Sequence, residues 1–295
     1  MVASVVMARR LATVSVVAAL VTACSALVDT GGLAGGGASS ADGGAADTLL
    51  DGAAAADDAR DPDVPSAPAT SDRYGDAVRA DGPIAYFRFE ETSVGACANE
   101  IVGSRATCVL PSAGVTLEAS GISATRKALR FDDAAATVNI FGATGFSGET
   151  PFTIEAWFQL DGPASGQVLL SNMDTPDNTQ TRTGQRLYLL EGGASDGALQ
   201  SETFNRGTHL FFGRTATRFP LGGWAHVVFL YSDALQSDAL YVNAVAADAG
   251  RVAPGARTAA IAPLSFRGFK GHLDEVAIYS IALAPQRIAA HYASR

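Results

Sequence analysis

A period-two alternation of apolar and polar side chains near the C-terminus constrains the fold most strongly. It runs through Trp224–Tyr231 and Ala239–Asn243 and returns in Gly268–Tyr279. A β-strand points successive side chains to opposite faces, so this is the period that a strand requires. The closing segment, Ile281–Tyr292, has Pro285 at a position typical of a first helical turn. The C-terminal part therefore predicts three strands followed by a short helix.

The region upstream extends the same pattern. Short alternating runs recur between Ile84 and Tyr279, separated by clusters of Gly, Pro, Asp and Ser, and no long helical periodicity interrupts them. Many short strands with turn signals between them indicate an all-β sandwich or barrel. The length of residues 73–295 is ordinary for one jelly roll, and a domain of this size can bury a sizeable core.

The order of the strand blocks resembles that of the laminin-G-like, concanavalin A-like jelly-roll family. The similar blocks are Asp81–Glu91, Ala128–Asp132, Pro151–Leu160, "W-x-H-V" at Trp224, "LYVN" at Leu240 and "GxLDEVxIY" at Gly271. The resemblance implies a two-sheet antiparallel sandwich with a short C-terminal helix. One position departs from it, because the family normally has Gly where this chain has Ala244. A turn that needs positive φ would be strained there, so a different local turn is expected.

The first residues indicate export. Met1–Ala23 has two arginines before an apolar run, Leu11–Val21, that is too short to span a bilayer, which needs about 20 residues. Val21–Cys24 resembles the bacterial lipobox, in which the cysteine is lipidated and becomes the mature N-terminus. The alternative is ordinary signal cleavage near Ala26, which would discard Cys24.

Residues 24–72 are expected to form a disordered tether, and residues 73–295 one jelly-roll domain. The tether is rich in Ala, Gly, Asp and Pro and has few side chains whose burial could offset the entropy of ordering. It carries nine Asp residues against Arg60, so most of the net charge of −9 lies in it. This acidity argues against nucleic-acid binding, which needs a basic face.

The anchor also suggests a location. Ser25, rather than Asp, follows the lipobox cysteine. The resemblance to lipoproteins therefore implies a protein lipid-anchored to the cell envelope, at the outer membrane, which touches the membrane through its lipid alone.

Three cysteines occur in the chain. If Cys24 carries lipid, Cys97 and Cys108 remain as an even pair in an oxidising compartment, which favours a disulfide. The alternative is two free, buried thiols. A zinc site is not expected, because no second Cys/His pair lies at ligand spacing.

No residue is assigned a catalytic role. The β-glucanases with this jelly roll carry Glu-x-Asp-x-x-Glu on one strand, and no glutamate of this chain begins that spacing. Gly193–Gly197 fits the Gly-x-Ser-x-Gly pattern, but nothing helical follows it, so a hairpin loop explains it better. His226 is interpreted as a sheet residue satisfied by hydrogen bonds rather than as a catalytic base.

Asp274 is a candidate metal ligand. It begins a strand in apolar surroundings, where a carboxylate needs a partner. The resembled family often holds a structural Ca²⁺ near its first and last strands, which makes Glu90 a second candidate ligand, since Ca²⁺ prefers hard oxygen donors. The alternative is that Asp274 accepts backbone N–H groups or pairs with an arginine.

Three function classes follow from these observations. The leading hypothesis is a surface-anchored, non-catalytic binding module for a glycan or a protein. The others are a glycan-active hydrolase or lyase with an unrecognised site, and a structural envelope or adhesion protein. The sequence names no ligand-binding residue. The polar loop Asn172–Gly184 is a candidate rim, because binding residues favour loops on rigid scaffolds, although a variable solvent-exposed loop is the simpler explanation.

Overall fold

The computed structural model of the 295-residue chain describes residues 72–123, 125–143, 148–162, 166–174, 178–247, 250–251 and 260–295. Cys24, the predicted export signal and all of the predicted tether except residue 72 lie outside these residues. No helix within the described ranges is long and apolar enough to cross a membrane.

The described residues form two α-helices, a turn of 3-10 helix at Gly193–Ser195, and seventeen strands. In chain order the elements are α1 (Arg73–Ala80), β1 (Ala85–Phe87), β2 (Ala96–Cys97), β3 (Thr107–Val109), β4 (Val115–Ala119), β5 (Lys127–Phe131), β6 (Thr137–Phe141), β7 (Phe152–Leu160), β8 (Val168–Ser171), β9 (Gly184–Leu189), β10 (Ala198–Asn205), β11 (Thr208–Arg218), β12 (Ala225–Ser232), β13 (Ser237–Val242), β14 (Val245–Ala246), β15 (Gly250–Arg251), β16 (Leu264–Arg267), β17 (Gly271–Tyr279) and α2 (Pro285–Ala293).

The strands form two antiparallel sheets. The first has the order β14-β13-β12-β7-β17-β5-β4, with β1 also paired to β17 and β15 to β13. The second has the order β11-β10-β9-β8-β16-β6-β3-β2. Consecutive strands pair towards the sheet edges, whereas the central pairs, such as β7 with β17 and β16 with β6, join strands distant in sequence, as in a jelly roll. The predicted all-β, two-sheet sandwich is confirmed.

The main hydrophobic core lies between the two sheets. In β7 the alternate residues Phe152, Ile154 and Phe158 belong to this core, where Phe158 packs against Phe266 of β16 with ring centroids 6.1 Å apart. This is the burial that a period-two apolar pattern is built to give.

A second apolar layer covers the outer face of the first sheet. Trp157 and Tyr279 lie there beneath the helices, together with Tyr74 of α1 and Ile288 of α2. Helix α2 was predicted within Ile281–Tyr292, and it begins at its proline. Helix α1 was not predicted, because the alternating apolar pattern begins at Ile84, after the helix ends.

Three local predictions concern a disulfide, a glycine-rich loop and a hairpin turn. Cys97 and Cys108 lie opposite each other in β2 and β3, with Cα atoms 5.2 Å apart, and form the predicted disulfide. Gly193–Gly197 lies in the loop between the paired strands β9 and β10, so the hairpin interpretation is confirmed. The expectation of a different turn at Ala244 was wrong. Asn243 and Ala244 both have positive φ (51° and 62°) and make the two-residue hairpin between β13 and β14.

Candidate functional site

The second sheet has an outer face that no described helix covers. We call its polar and aromatic surface the outer platform. It consists of Asn139, Ser171, Arg186, Tyr188, Gln200, Glu202, Phe204, His209, Arg214 and Ser265, which the strand registers bring to one face. Since helices α1 and α2 cover the outer face of the first sheet, the outer platform is the broad sheet face left for a ligand.

One polar row crosses five neighbouring strands of the platform. Asn139, Ser265, Ser171, Arg186 and Glu202 are register partners in turn, on β6, β16, β8, β9 and β10. With strands about 4.8 Å apart, this row is about 19 Å long. A row of this kind offers a long, shallow track of hydrogen-bonding groups rather than a closed pocket.

Glu202 is the centre of a hydrogen-bond network on the platform. Its carboxylate accepts hydrogen bonds from Arg186 Nε at 2.6 Å and from the Tyr188 hydroxyl at 2.9 Å. Gln200 Nε2 donates to the same carboxylate at 3.2 Å. Glu202 is only 7% exposed. These contacts fix the orientation of several polar groups before any ligand arrives, which lowers the cost of binding.

Aromatic and guanidinium planes border this network. Phe204 and His209 are stacked with centroids 4.7 Å apart, and the Arg182 guanidinium lies 3.7 Å from the centre of the Phe204 ring. Arg186 lies 4.4 Å from the centre of the Tyr188 ring. Burial, and then the neighbouring Glu202, raise the pKa of Tyr188 to about 12, so its hydroxyl stays protonated and donates.

The loop proposed as a rim lies at one end of the platform. Its described second half packs on the turn between β10 and β11, where Gly207 N donates to Arg182 O and Arg206 N donates to Thr183 Oγ1. A Cβ at Gly207 would lie 2.5 Å from Gln180 O, so this close approach requires glycine. The part that the loop plays in binding stays a prediction.

The platform contains no pair of carboxylates. Within the eight strands of the second sheet, Glu202 is the only acidic residue. Retaining glycosidases need two carboxyl groups about 5–5.5 Å apart and inverting ones need two at a larger separation. These strands therefore lack that machinery.

A second cluster of titratable groups surrounds Glu155 on the opposite sheet. Its carboxylate lies 2.7 Å from His226 Nε2 and 3.0 Å from His291 Nδ1, and it accepts hydrogen bonds from the hydroxyls of Tyr74 at 2.7 Å and Tyr279 at 3.1 Å. The histidines come from β12 and α2, and the tyrosines from α1 and β17. His226 is thus a buried sheet residue whose Nε2 contacts Glu155, in agreement with its interpretation as a sheet residue, while its Nδ1 is buried without a hydrogen-bond partner.

The electrostatics of this cluster keep it ionised. Burial alone would raise the pKa of Glu155, but the hydrogen bonds from His226 and His291 outweigh it and hold the pKa well below its usual range. Burial opposes charge on His291, yet Glu155 and Asp81 raise its pKa. Both ring nitrogens of His291 face acceptors, since Nε2 lies 3.1 Å from Ala77 O.

This cluster has the perturbed pKa values typical of active sites, but no substrate can reach it. Glu155, His226 and His291 are fully buried. We therefore interpret the Glu155 cluster as an ionic clamp that holds α1 and α2 on the first sheet.

Asp274 and Glu275 form a third cluster at a β-bulge in β17. The bulge lies between Asp274 and Ala277, and Glu275 has a φ of 52°. The extra residue turns both acids away from the main core, towards the helices. There Glu275 pairs with Arg88 at 2.6 Å and accepts a hydrogen bond from the Tyr86 hydroxyl. Burial and the neighbouring Glu275 raise the pKa of Asp274.

The two candidate calcium ligands have protein partners. Asp274 accepts hydrogen bonds from Ile122 N at 2.9 Å and from Glu275 N at 2.8 Å. Glu90 accepts one from Lys127 N at 3.3 Å. Both carboxylates thus have hydrogen-bond donors that do not depend on a metal. In the part of the chain that the structure describes, no three His, Cys, Asp or Glu side chains are grouped to hold a metal ion.

Comparison with known protein families agrees with this architecture. Residues 132–289, more than half of the chain, match the family described as the concanavalin A-like lectin/glucanases superfamily. The chain belongs to this family. No curated protein sequence is significantly similar to it.

Solved structures of the same fold include several binding domains. The binding domain of Paraclostridial Mosquitocidal Protein 1 is 16% identical with a TM-score of 0.56, over 71% of this chain and 51% of that one. Domain 4 of AbnA, an extracellular GH43 arabinanase from Geobacillus stearothermophilus, in complex with arabinotriose, is 18% identical with a TM-score of 0.53, over 71% and 97%. The botulinum neurotoxin serotype D ligand-binding domain with N-acetylneuraminic acid is 10% identical with a TM-score of 0.57, over 74% and 53%. The chain thus spans about half the length of the toxin domains. At these identities the likeness shows the fold alone.

The ionic clamp predicts a pH dependence that Glu155→Gln removes. The lowered pKa of Glu155 adds stability above about pH 4.5, which is lost as the pH falls towards the folded-state pKa. The raised pKa of His291 adds stability below about pH 6.5, which is lost as the pH rises through the folded-state pKa. We expect Glu155→Gln to lower the free energy of unfolding by about 3–5 kcal/mol near pH 6, because it leaves two buried histidines without their anion.

Urea unfolding of both proteins from pH 3 to pH 9 measures this difference. It should be largest between about pH 4.5 and 6.5 and shrink on both sides. Asp274 and Glu275 have raised pKa values, so their contribution to stability falls as the pH rises. This contribution is the same in both proteins and cancels when one unfolding free energy is subtracted from the other. A difference independent of pH would contradict the clamp.

Proposed function

We propose that this protein is a non-catalytic glycan-binding module that holds a sugar chain along the outer platform. The observation that carries the proposal is the Glu202 network, in which a nearly buried carboxylate, an amide, a phenol and a guanidinium are held together on an uncovered sheet face. Sugars are recognised by such convergent polar groups together with stacking surfaces.

The distribution of polar and apolar groups favours a glycan over a protein ligand. A protein-binding face would be expected to present a contiguous apolar patch, whereas the central row of the platform consists of Asn, Ser, Ser, Arg and Glu. Two solved domains of similar fold are in complex with arabinotriose and with N-acetylneuraminic acid, which supports a sugar ligand here by analogy. The absence of a second acid on the strands of this sheet argues for binding without cleavage.

The proposed binding is tested with Glu202→Gln and Tyr188→Ala in the purified full chain. We expect the parent protein to be retarded by at least one polysaccharide in affinity electrophoresis and to release no reducing ends. Tyr188→Ala should weaken binding about tenfold or more, because it removes both a stacking ring and a donor to Glu202. Glu202→Gln should weaken it similarly, because it removes the carboxylate that fixes the orientations of Arg186, Tyr188 and Gln200.

Two controls make the result specific. Glu191→Gln removes an exposed carboxylate beyond the end of β9 and should bind like the parent. Tyr188→Phe keeps the ring and tests the hydroxyl alone. Equal retardation of all variants would show that the ligand binds outside the outer platform. Release of reducing ends that is lost on changing a single acidic residue would show that the protein is an enzyme.

We further propose that the domain is anchored to the envelope through lipidated Cys24. The lipobox-like Val21–Cys24 and the acidic, low-complexity residues after it support an exported lipoprotein with a flexible tether, at the outer membrane. Cys24→Ala should release the protein from the membrane fraction or block its processing, and Ser25→Ala is the matched control. Processed Cys24→Ala protein that still fractionates with membranes would refute the anchor.

Structural calcium at Asp274 and Glu90 is a third proposal, and it competes with simple capping of the Ile122 and Glu275 amides. A metal that binds only the native state adds about 2.7 kcal/mol at a hundred times its Kd, so excess Ca²⁺ should raise the melting temperature above that in EDTA. Asp274→Asn should abolish that increase. Equal melting temperatures in Ca²⁺ and EDTA would leave Asp274 as a capping carboxylate.

A further inference from the structure

We propose that the outer platform selects acidic sugar chains, which carry a carboxylate or a sulfate on successive units. This inference rests on the proposed glycan-binding function and names the class of ligand. Three observations carry it: the charge balance of the second sheet, two arginines that have no acidic partner, and the spacing of three guanidinium groups.

The second sheet is basic in an acidic protein. Its strands carry four arginines against one glutamate, although the whole chain has a net charge of −9. The arginines are Arg186, Arg214, Arg218 and Arg267. The single acid, Glu202, is neutralised by Arg186 and is nearly buried, so it presents little negative charge to a ligand. The net charge of these strands is therefore positive, which favours the approach of an anionic polymer to this face.

Two guanidinium groups of the platform region have no acidic partner. Arg214 is half-buried, and no described side chain forms an ion pair or hydrogen bond with its guanidinium. Arg182 lies over the Phe204 ring, and its Nε is buried without a hydrogen-bond acceptor. A guanidinium without a carboxylate partner keeps its charge available to an anionic ligand.

The three guanidinium groups occupy successive rows of the sheet. Arg214 is the register partner of Gln200, Arg186 is the partner of Glu202, and Arg182 covers Phe204. Gln200, Glu202 and Phe204 are alternate residues of β10, so the rows lie about 7 Å apart along the strand direction. A polymer with an anionic group on each unit, laid along β10, would present its charges at repeated positions beside these groups.

The chemistry of each position suits an oxyanion. A guanidinium has five N–H donors in a fixed fork and binds carboxylate or sulfate oxygens through two of them. Arg186 uses part of this capacity for Glu202 at 2.6 Å and retains further N–H groups. A neutral sugar would leave the charges of Arg214 and Arg182 without a counter-ion.

Two matched pairs of polymers test the proposal with the full chain. Polygalacturonate and its fully methyl-esterified form share a backbone and differ in carboxylate charge, and dextran sulfate and dextran differ in sulfate charge. We expect at least one charged polymer to be bound about tenfold more tightly than its neutral partner. The preference should shrink as the salt concentration rises.

Arg214→Gln and Arg182→Gln connect the preference to the platform. Each should reduce binding of the charged polymer about tenfold and leave the circular dichroism spectrum and melting temperature unchanged. Arg105→Gln removes an exposed arginine before β3, at the far end of the same sheet, and should bind like the parent.

The possible outcomes separate this inference from the proposed function. Equal binding to the charged and neutral members of both pairs would overturn acidic selectivity and leave glycan binding in place. Losses of the same size in Arg105→Gln and Arg214→Gln would reveal non-specific attraction and also overturn the proposal. Failure to bind any of the four polymers, or any neutral glycan, would overturn both.

Discussion

The contacts between the Glu155 carboxylate and its two histidines are the interaction on which the arrangement of this domain depends. A sandwich of two sheets has two outer faces, and a helix can cover either one. Placing a carboxylate on the outer face of β7, with His226 beside it and His291 above it, makes the first sheet the covered face, because a buried charge without its partners costs several kcal/mol. The uncovered second sheet is thereby left to meet a ligand.

The two outer faces consequently have different physical characters. The face under the helices carries buried ion pairs, both at Glu155 and at Arg88 with Glu275. The opposite face carries polar groups in register across five strands, some half-buried and others, such as Glu202, buried, and arginines outnumber acids there. The covered face contributes stability, and the other face carries the proposed binding surface.

The fold was largely predictable from the sequence, whereas the platform was not. Alternation within strands such as Phe152–Leu160 indicates which residues face the core, and the disulfide followed from counting cysteines. The same alternation assigns Glu155 and Glu202 alike to an outer face. Only the strand order, which the sequence does not give, distinguishes an acid covered by helices from one open to solvent. It also brings Arg186 and Arg214, 28 positions apart, to two strands flanking β10.

The pre-formed hydrogen bonds on the platform also bear on the size of ligand that it suits. Glu202 already accepts from three neighbours, so a sugar hydroxyl must exchange one hydrogen bond for another and gains little net free energy at that point. Under the proposed function, we expect such a surface to bind a single sugar unit weakly. A polymer that lies along several rows repeats the small gain, and its later contacts form at high effective concentration once the first is made. The proposed ligand is therefore a polysaccharide rather than a monosaccharide, because the polar row is an open surface that extends across five strands.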